Sequence, residues 1–497
     1  MSKSTPEIVF ETTQDFEQIT HHGLLVPVYY HARHYGVFAA LRERVTLKMK
    51  TVDYSVVDKL ATLWASVLIG CSHTVEINQK LGTQEPAAAE AFGLKRFPDQ
   101  SQISRLLKAC TLQTVEQVRA SHHQVMRRHS RASWRGLWQR LATGERVLMV
   151  DVDQRVLVVH GTQFELAKKG FTGRKRGRAC YSLSLGYVGG RVREVFDQHL
   201  DPGTSPVGAR LGQMLDELAS FCDAKRIPRA KVIIRGDAQY GTPGIIEQIQ
   251  ARGFGFLLKG LTPKRAQKLV TTPRPEIVFH LAKEPEGGAR HWMADCGACE
   301  HEGRPLDGTR PKVCVRTLAG VRVAWGKPRT GKARAGKRQR ALEAKTPEAL
   351  VKELTYEYLL TSLSPQQQPV DEALSLYDDR QTIERYFNDE SNALGAKSVR
   401  SHTMAGEAVF EWIVAMVANQ LRWYQQTHLR ATPMMEFGLT RLIHQLLQIP
   451  AILVRQAGQW IVRFPASFPL VSHLMRKLAP PGSLPFPIQG FLPFPSP

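Results

Sequence analysis

Val147-Leu148-Met149-Val150-Asp151-Val152-Asp153 is an apolar run that ends in acids, and Val232-Ile233-Ile234-Arg235-Gly236-Asp237 repeats the pattern. Short runs rich in Val and Ile read as buried strands. Working outward, residues 146–150 form one strand and, after a turn, 155–160 a second. Residues 181–187 and 192–198 form a hairpin around Gly189-Gly190. Residues 206–224 and 243–252 read as helices, and 231–234 and 255–259 as strands. This order describes an α/β fold with a mixed sheet and with Asp153 and Asp237 at strand ends. Open sheets gather their ligands outside the carboxyl ends of strands.

A third acid lies far downstream in Leu376-Tyr377-Asp378-Asp379-Arg380-Gln381-Thr382-Ile383-Glu384-Arg385-Tyr386-Phe387. Tyr377, Arg380 and Glu384 stand at i, i+3 and i+7, so one helix would present them on one outward face. Leu376, Ile383, Phe387 and Leu394 fall on a neighbouring stripe suited to a core. Carboxylates from two strands and one packed helix are the donors that two-metal phosphodiester chemistry needs. Hard oxygen ligands select magnesium or manganese, with two ions expected. Arg380 suits a phosphate contact, being a planar fork of donors. Tyr377 suits a hydrogen bond to phosphate or stacking on a base. Taken alone, a strand-end aspartate is more often a turn former or N-cap, and a helical glutamate beside an arginine is usually a solvated ion pair. The three in order, on a basic chain, carry the reading.

The bulk composition agrees. The chain has 497 residues, a net charge of +22 and 43% hydrophobic residues, which describes a globular protein with a polyanionic partner. Seven scattered cysteines without a close framework indicate a reducing compartment. No secretory leader and no run long enough to span a bilayer is expected, so the reading is of a cytoplasmic protein without a membrane partner. Residues 20–130 look helical, with a turn, a cap and a short helix over 97–107 that reads equally as a helix offering Arg105 to DNA or as an ordinary packing helix. Lys168, Lys169, Arg174, Lys175, Arg176 and Arg178 make a basic, glycine-containing stretch placed for DNA-backbone contact. Residues 265–365 read as short strands between charged loops, with a basic loop at 327–340. Within them Cys296 and Cys299 have zinc-knuckle spacing near His301 and Cys314, but no second pair completes four ligands, so reduced cysteines are expected. Helices over 407–426 and 435–448 and a proline-rich tail from 480 close the chain.

The ordered set of motifs resembles insertion-sequence transposases with an Asp-Asp-Glu triad and a Tyr-x2-Arg-x3-Glu-x6-Lys signature, nearest the insertion sequence 1380-like branch. Here the signature reads Tyr377, Arg380 and Glu384, with Ser391 where lysine is expected. Arg235-Gly236-Asp237-Ala238-Gln239-Tyr240-Gly241 resembles the second acidic site of that branch. The resemblance implies a ribonuclease H-like catalytic core interrupted by a β-rich insertion. It implies a helical N-terminal DNA-binding region over 1–140, the core over 141–264 and 366–430, the insertion over 265–365 and a helical C-terminal region over 431–497. It implies Asp153, Asp237 and Glu384 as catalytic metal ligands. Family members place the first ligand late in its motif, which favours Asp153, with Asp151 as an accessory ligand or a hydrogen-bonding support. It further implies cleavage at transposon terminal repeats, strand transfer into target DNA, a homodimer in a synaptic complex, and a bacterial, nucleoid-associated location. Tyr377 and Arg380 would contact DNA near the cut. A metal nuclease without strand transfer and an inactive DNA-binding derivative, the latter supported by Ser391, are the alternatives. A glycosidase using a carboxylate pair would leave the charge and the Tyr-Arg pair unexplained.

Overall fold

The computed structural model describes residues 8–13, 19–49, 53–170, 177–272, 274, 276–283, 290–303, 310–326, 351–456, 458–478 and 490–491. Ten strands organise the larger sheet: β1 (Arg146–Val158), β2 (Lys168–Lys169), β3 (Ala179–Val188), β4 (Glu194–Pro202), β5 (Val232–Gly241), β6 (Gly255–Gly260), β7 (Phe279–Lys283), β8 (Arg290–Glu302), β9 (Lys312–Gly326) and β10 (Val351–Thr361). Their spatial order is β7-β8-β9-β10-β6-β5-β1-β3-β2, with β4 on β3 and a short strand, Gln139–Arg140, on β1. Among the described strands of this sheet, β1 with β5 and β5 with β6 pair in parallel, and the other pairs are antiparallel. The apolar runs of the sequence therefore sit where both faces of the sheet are covered, which is why they do not alternate.

Three expectations change. The turn after residue 150 is absent: β1 continues to Val158, because residues 150–158 pair antiparallel with β3, from Val150↔Val188 to Val158↔Cys180. Asp153 thus lies within a strand. The segment 265–365 is not a body apart: β10 pairs with β6 (Leu360↔Leu258), so its strands extend the core sheet and cover the edge that β6 would otherwise leave open. The two ends of the chain are not purely helical. Ile8–Thr13 pairs in parallel with Gln459–Pro465, and Ala451–Gln456 pairs with both Gln459–Pro465 and Ile19–Thr20, in a second, five-stranded sheet. The run Trp460-Ile461-Val462 is aromatic and β-branched and suits a strand.

The N-terminal helices are α1 (Leu25–His34), α2 (Val37–Arg44), α3 (Val56–Leu68), α4 (Gln100–Ala109) and α5 (Leu112–His129). Ser55 and Asp58 cap α3 reciprocally, at 3.1 and 2.8 Å. Asp99 caps α4 by accepting from the Gln102 N–H at 3.0 Å, the cap read from the sequence. Further on come α6 (Gly208–Lys225), α7 (Pro243–Ala251), α8 (Val370–Asp378), α9 (Gln381–Asn392) and α10 (Met404–His428). Almost every residue of α10 is buried, since its apolar side chains surround the axis. It packs against α3, α5 and β4 and joins the helical shell to the sheet. Asn419 joins it to β4, accepting from the Val195 N–H and donating to the Val195 C=O, both at 2.8 Å. Among the described residues no helix is long and apolar enough to cross a membrane.

His122 of α5 lies in this junction, its Nε2 3.1 Å from the Val195 carbonyl and its ring 5.0 Å from that of Trp412. Burial, with the neighbouring His123, pushes its pKa from 6.5 down to about 3, against the Val195 hydrogen bond. Its neutral form therefore contributes stability that is present above pH 6.5 and lost as the pH falls toward 3. Between pH 7 and pH 5 the unfolded chain gains a proton that the folded chain refuses, worth about 2 kcal/mol. In urea denaturation, the wild type should lose about 2 kcal/mol more than His122→Gln over that interval. Equal losses in the two proteins would refute the assignment.

Candidate active site

The site opens where two parallel strands part. β1 and β5 pair from Leu148↔Val232 to Val152↔Gly236. The next residues are Asp153 and Asp237. On its other side, β5 loses register with β6 between Gly236 and Gly241. Asp237 Oδ1 accepts from the Gln239 N–H at 2.9 Å, which shapes the departing chain. Gly236 lets Tyr240 fold back beneath the fork, because a Cβ there would lie 2.7 Å from the Tyr240 side chain.

Asp151 and Asp153 point to the same side of β1 and meet different arginines. Asp151 is fully buried and receives a bidentate pair from Arg235 of β5, Nε at 2.6 Å and Nη2 at 3.0 Å. Arg235 Nη1 also donates to the Leu376 carbonyl of α8 at 2.6 Å. A Cβ on Gly189 would lie 2.4 Å from Asp151 Oδ2, so that position admits only glycine without displacing the pair. Asp153 instead pairs with Arg380 Nη2 at 2.6 Å. Arg380 Nη1 reaches Glu384 Oε1 at 3.5 Å, while the Glu384 carboxylate is largely exposed.

The continuous helix expected over 376–387 is divided. α8 ends at Asp378 and α9 begins at Gln381, and the junction tightens into i→i−3 bonds: Arg380 N–H to Tyr377 O and Ile383 N–H to Arg380 O, both 3.0 Å. Tyr377, Arg380 and Glu384 therefore do not share an outward face. Tyr377 is buried with Met149, Ile233, Leu257 and Leu359, its hydroxyl 3.4 Å from the Gly236 carbonyl. This corrects the expectation that Tyr377 meets DNA: its ring gains more by filling the core beneath the fork. Arg380 is also buried, and its guanidinium faces carboxylates rather than solvent.

The three acids act on one another. Burial pushes the Asp153 carboxyl from 3.8 up to about 6, Arg380 opposes the rise, and the charges of Asp237 and Glu384 add to it. Arg380 thus pairs with Asp153 and Glu384, and the charge of Asp237 acts on Asp153. In chemical type this oxygen-only set suits magnesium or manganese, and the guanidinium marks a place where positive charge is already demanded. Among the described residues no group of three acids, histidines or cysteines is placed to hold one ion. A family model described as "Transposase DDE domain group 1" matches residues 17–480. The chain belongs to the DDE transposase family. No curated protein matches it.

In this transposase the position where the signature expects lysine holds Ser391, whose Oγ accepts from Arg155 Nη1 at 3.0 Å. Arg155 lies on β1 beyond Asp153 and pairs with Glu390 at 3.3 Å and Glu411 at 3.1 Å. A cation from the strand therefore stands beside Ser391. Neither Arg155 nor the linking role of Arg235 was picked out from the sequence, although both arginines lie two residues from an acid of the fork. Lys168 and Lys169 lie exposed on β2 at the sheet edge, and Arg178 is exposed with Nη1 2.7 Å from His160 Nδ1. Arg105 is exposed on α4, its Nη2 3.2 Å from Ser101 Oγ. Arg174, Lys175 and Arg176 and the loop 327–340 lie outside the described residues. The cross-strand register sets Cys299 opposite Val315 and Glu300 opposite Cys314, so Cys314 projects to the other face of the sheet from Cys299. His301 is buried, its Nε2 2.8 Å from Thr317 Oγ1. The family acts on DNA, and the +22 charge suits that partner.

Replacing Arg235 with Leu leaves Asp151 buried without a counter-charge. Chemical denaturation should show a loss of about 3–5 kcal/mol. A variant as stable as the wild type would show that the pair does not hold the fork together.

Proposed function

We propose that this transposase cuts DNA at the ends of an insertion sequence and joins the freed 3′ ends to target DNA, as a member of the insertion sequence 1380-like branch. The observation that carries the reading is Arg380 paired with Asp153 at 2.6 Å and with Glu384 at 3.5 Å, beside the fork where the strand of Asp237 parts from that of Asp153. The two parallel strands and the helix behind them support a ribonuclease H-like core. Asp153, Asp237 and Glu384 would hold the divalent ions, with Asp151 serving as structural support rather than as a ligand, since both its oxygens face Arg235. Bound there, two magnesium or manganese ions supply an activated oxygen nucleophile and stabilise charge on the leaving oxygen.

The chain's own residues do the positioning. Arg235 fixes β1, β5 and α8 relative to one another, so the acids are held before substrate arrives. Arg380 offsets the mutual repulsion of the acids and keeps a donor fork within reach of a phosphate entering beside Asp153. Exposed Glu384 stands at the mouth, where a DNA strand meets the site. Lys168, Lys169 and Arg178 offer sequence-independent backbone contacts at the sheet edge. Work on both ends of an element calls for two copies of the chain, so a homodimer in a synaptic complex belongs to the reading.

Asp153→Asn, Asp237→Asn and Glu384→Gln should each lower magnesium-dependent cleavage of a terminal-repeat duplex by about a hundredfold or more, with DNA affinity nearly unchanged. Gel analysis of cleaved and joined products checks this. Full cleavage by Glu384→Gln would remove that residue from the site, and cleavage without joined products in the wild type would reduce the protein to a nuclease.

A further inference from the structure

The face of α9 turned away from Glu384 borders a second cavity, of about 210 Å³. Thr382, Arg385, Tyr386 and Asp389 line it from α9, Arg193 from the β3–β4 turn and Arg422 from α10. At helical spacing those four α9 residues lie opposite Arg380, Glu384 and Ser391, so the cavity is separate from the acid cluster.

Three arginines face two acids in it, Asp389 and the exposed Glu436. Arg422 is 5% exposed, yet it makes no ion pair among the described residues, and its Nε has no hydrogen-bond partner. Its Nη1 donates to Gln425 Oε1, a neutral acceptor. Burial pushes its pKa down to about 10, against the pull of Tyr187 and of Asp389 and Glu436, two acids that line the same cavity. A buried guanidinium without a carboxylate is expensive, and such a group is retained where something else supplies the counter-charge. Asp389 is already engaged, accepting from the Leu439 N–H at 3.0 Å and from Thr440 Oγ1 at 2.6 Å. Arg385 is exposed and makes no ion pair among the described residues. Arg193 spends its Nε on the Gly190 carbonyl at 3.3 Å. The stacked rings of Tyr187 and Tyr386, 5.3 Å apart, form one wall.

We propose that Arg193, Arg385 and Arg422 form a binding site for a phosphate group on the back of the helix that carries Glu384. Guanidinium forks match phosphate oxygens in pairs. The volume lies below that of pockets for drug-sized ligands and suits a single phosphate group. That group is either free phosphate or one phosphate of a DNA strand. The site depends on neither the metal nor the strand-transfer chemistry, so its failure and theirs are distinguishable.

The test uses the full chain and inorganic phosphate, titrated by calorimetry without divalent metal against chloride at equal ionic strength. The wild type should bind phosphate saturably. Arg385→Gln, at an exposed position, and Arg422→Gln should each weaken that binding by about tenfold or more. If Arg422→Gln does not fold, Arg422→Lys, which keeps the charge and loses the fork, should show the same direction. Phosphate binding abolished by a saturating duplex oligonucleotide in the wild type, but not by an equal concentration of uncharged polymer, assigns the site to a DNA phosphate. Binding that persists beside the duplex assigns it to the free anion. Absence of saturable binding in the wild type, or equal affinity in the wild type, Arg385→Gln and Arg422→Lys, overturns the proposal.

Discussion

The buried pair between Asp151 and Arg235 joins the two strands whose parting makes the site. Through the Leu376 carbonyl, Arg235 also fixes the helix that precedes Arg380 and Glu384. Neither charge has access to water, so neither can be removed singly without leaving the other uncompensated. A fork held only by backbone pairing would have Asp153 and Asp237 on strands free to splay. With Arg235 bridging them, the separation of the acids is set by packed, hydrogen-bonded groups. Gly189 belongs to the same constraint, because only the absence of a side chain there leaves room for the Asp151 carboxylate.

On this frame Arg380 takes a place between acids that repel one another. Asp153, raised to about 6 by burial and by Asp237 and Glu384, is the group most sensitive to whichever cation sits there. A guanidinium on a tightened helical turn is well suited to this task, since it is permanently charged and short rearrangements of its turn change which oxygens it faces. The half-buried Arg155, with the buried Glu390 and Glu411, repeats the device two residues further along the same side of the strand. β1 thus carries alternate polar residues, 151, 153 and 155, each met by its own partner.

That alternation explains both what was legible in the chain and what was not. The apolar runs ahead of Asp151 and Asp237 identified two strands and an α/β sheet, because burial on both faces leaves a local signature. The interruption at Gln154-Arg155 looked like a turn, since only the distant Glu390, Ser391 and Glu411 make an arginine tolerable in a buried strand. The helical spacing of Tyr377, Arg380 and Glu384 was real, but spacing cannot tell an outward face from one pressed against a sheet. Tyr377 went inward because Met149, Ile233 and Leu257 offer it an apolar floor. The joining of the 265–365 strands to β6, and of the chain ends in a second sheet, depends on pairings between residues far apart in sequence. The three acids could be nominated from the chain; the pairing of Arg380 with Asp153 could not.

Binding of manganese followed by electron paramagnetic resonance tests the central claim, that Asp153, Asp237 and Glu384 belong to one cation site, without any DNA or turnover. The wild type should bind the ion, and Asp153→Asn, Asp237→Asn and Glu384→Gln should each weaken that binding, while Asp389→Asn should not. Manganese affinity that survives unchanged in the first three variants would contradict the account.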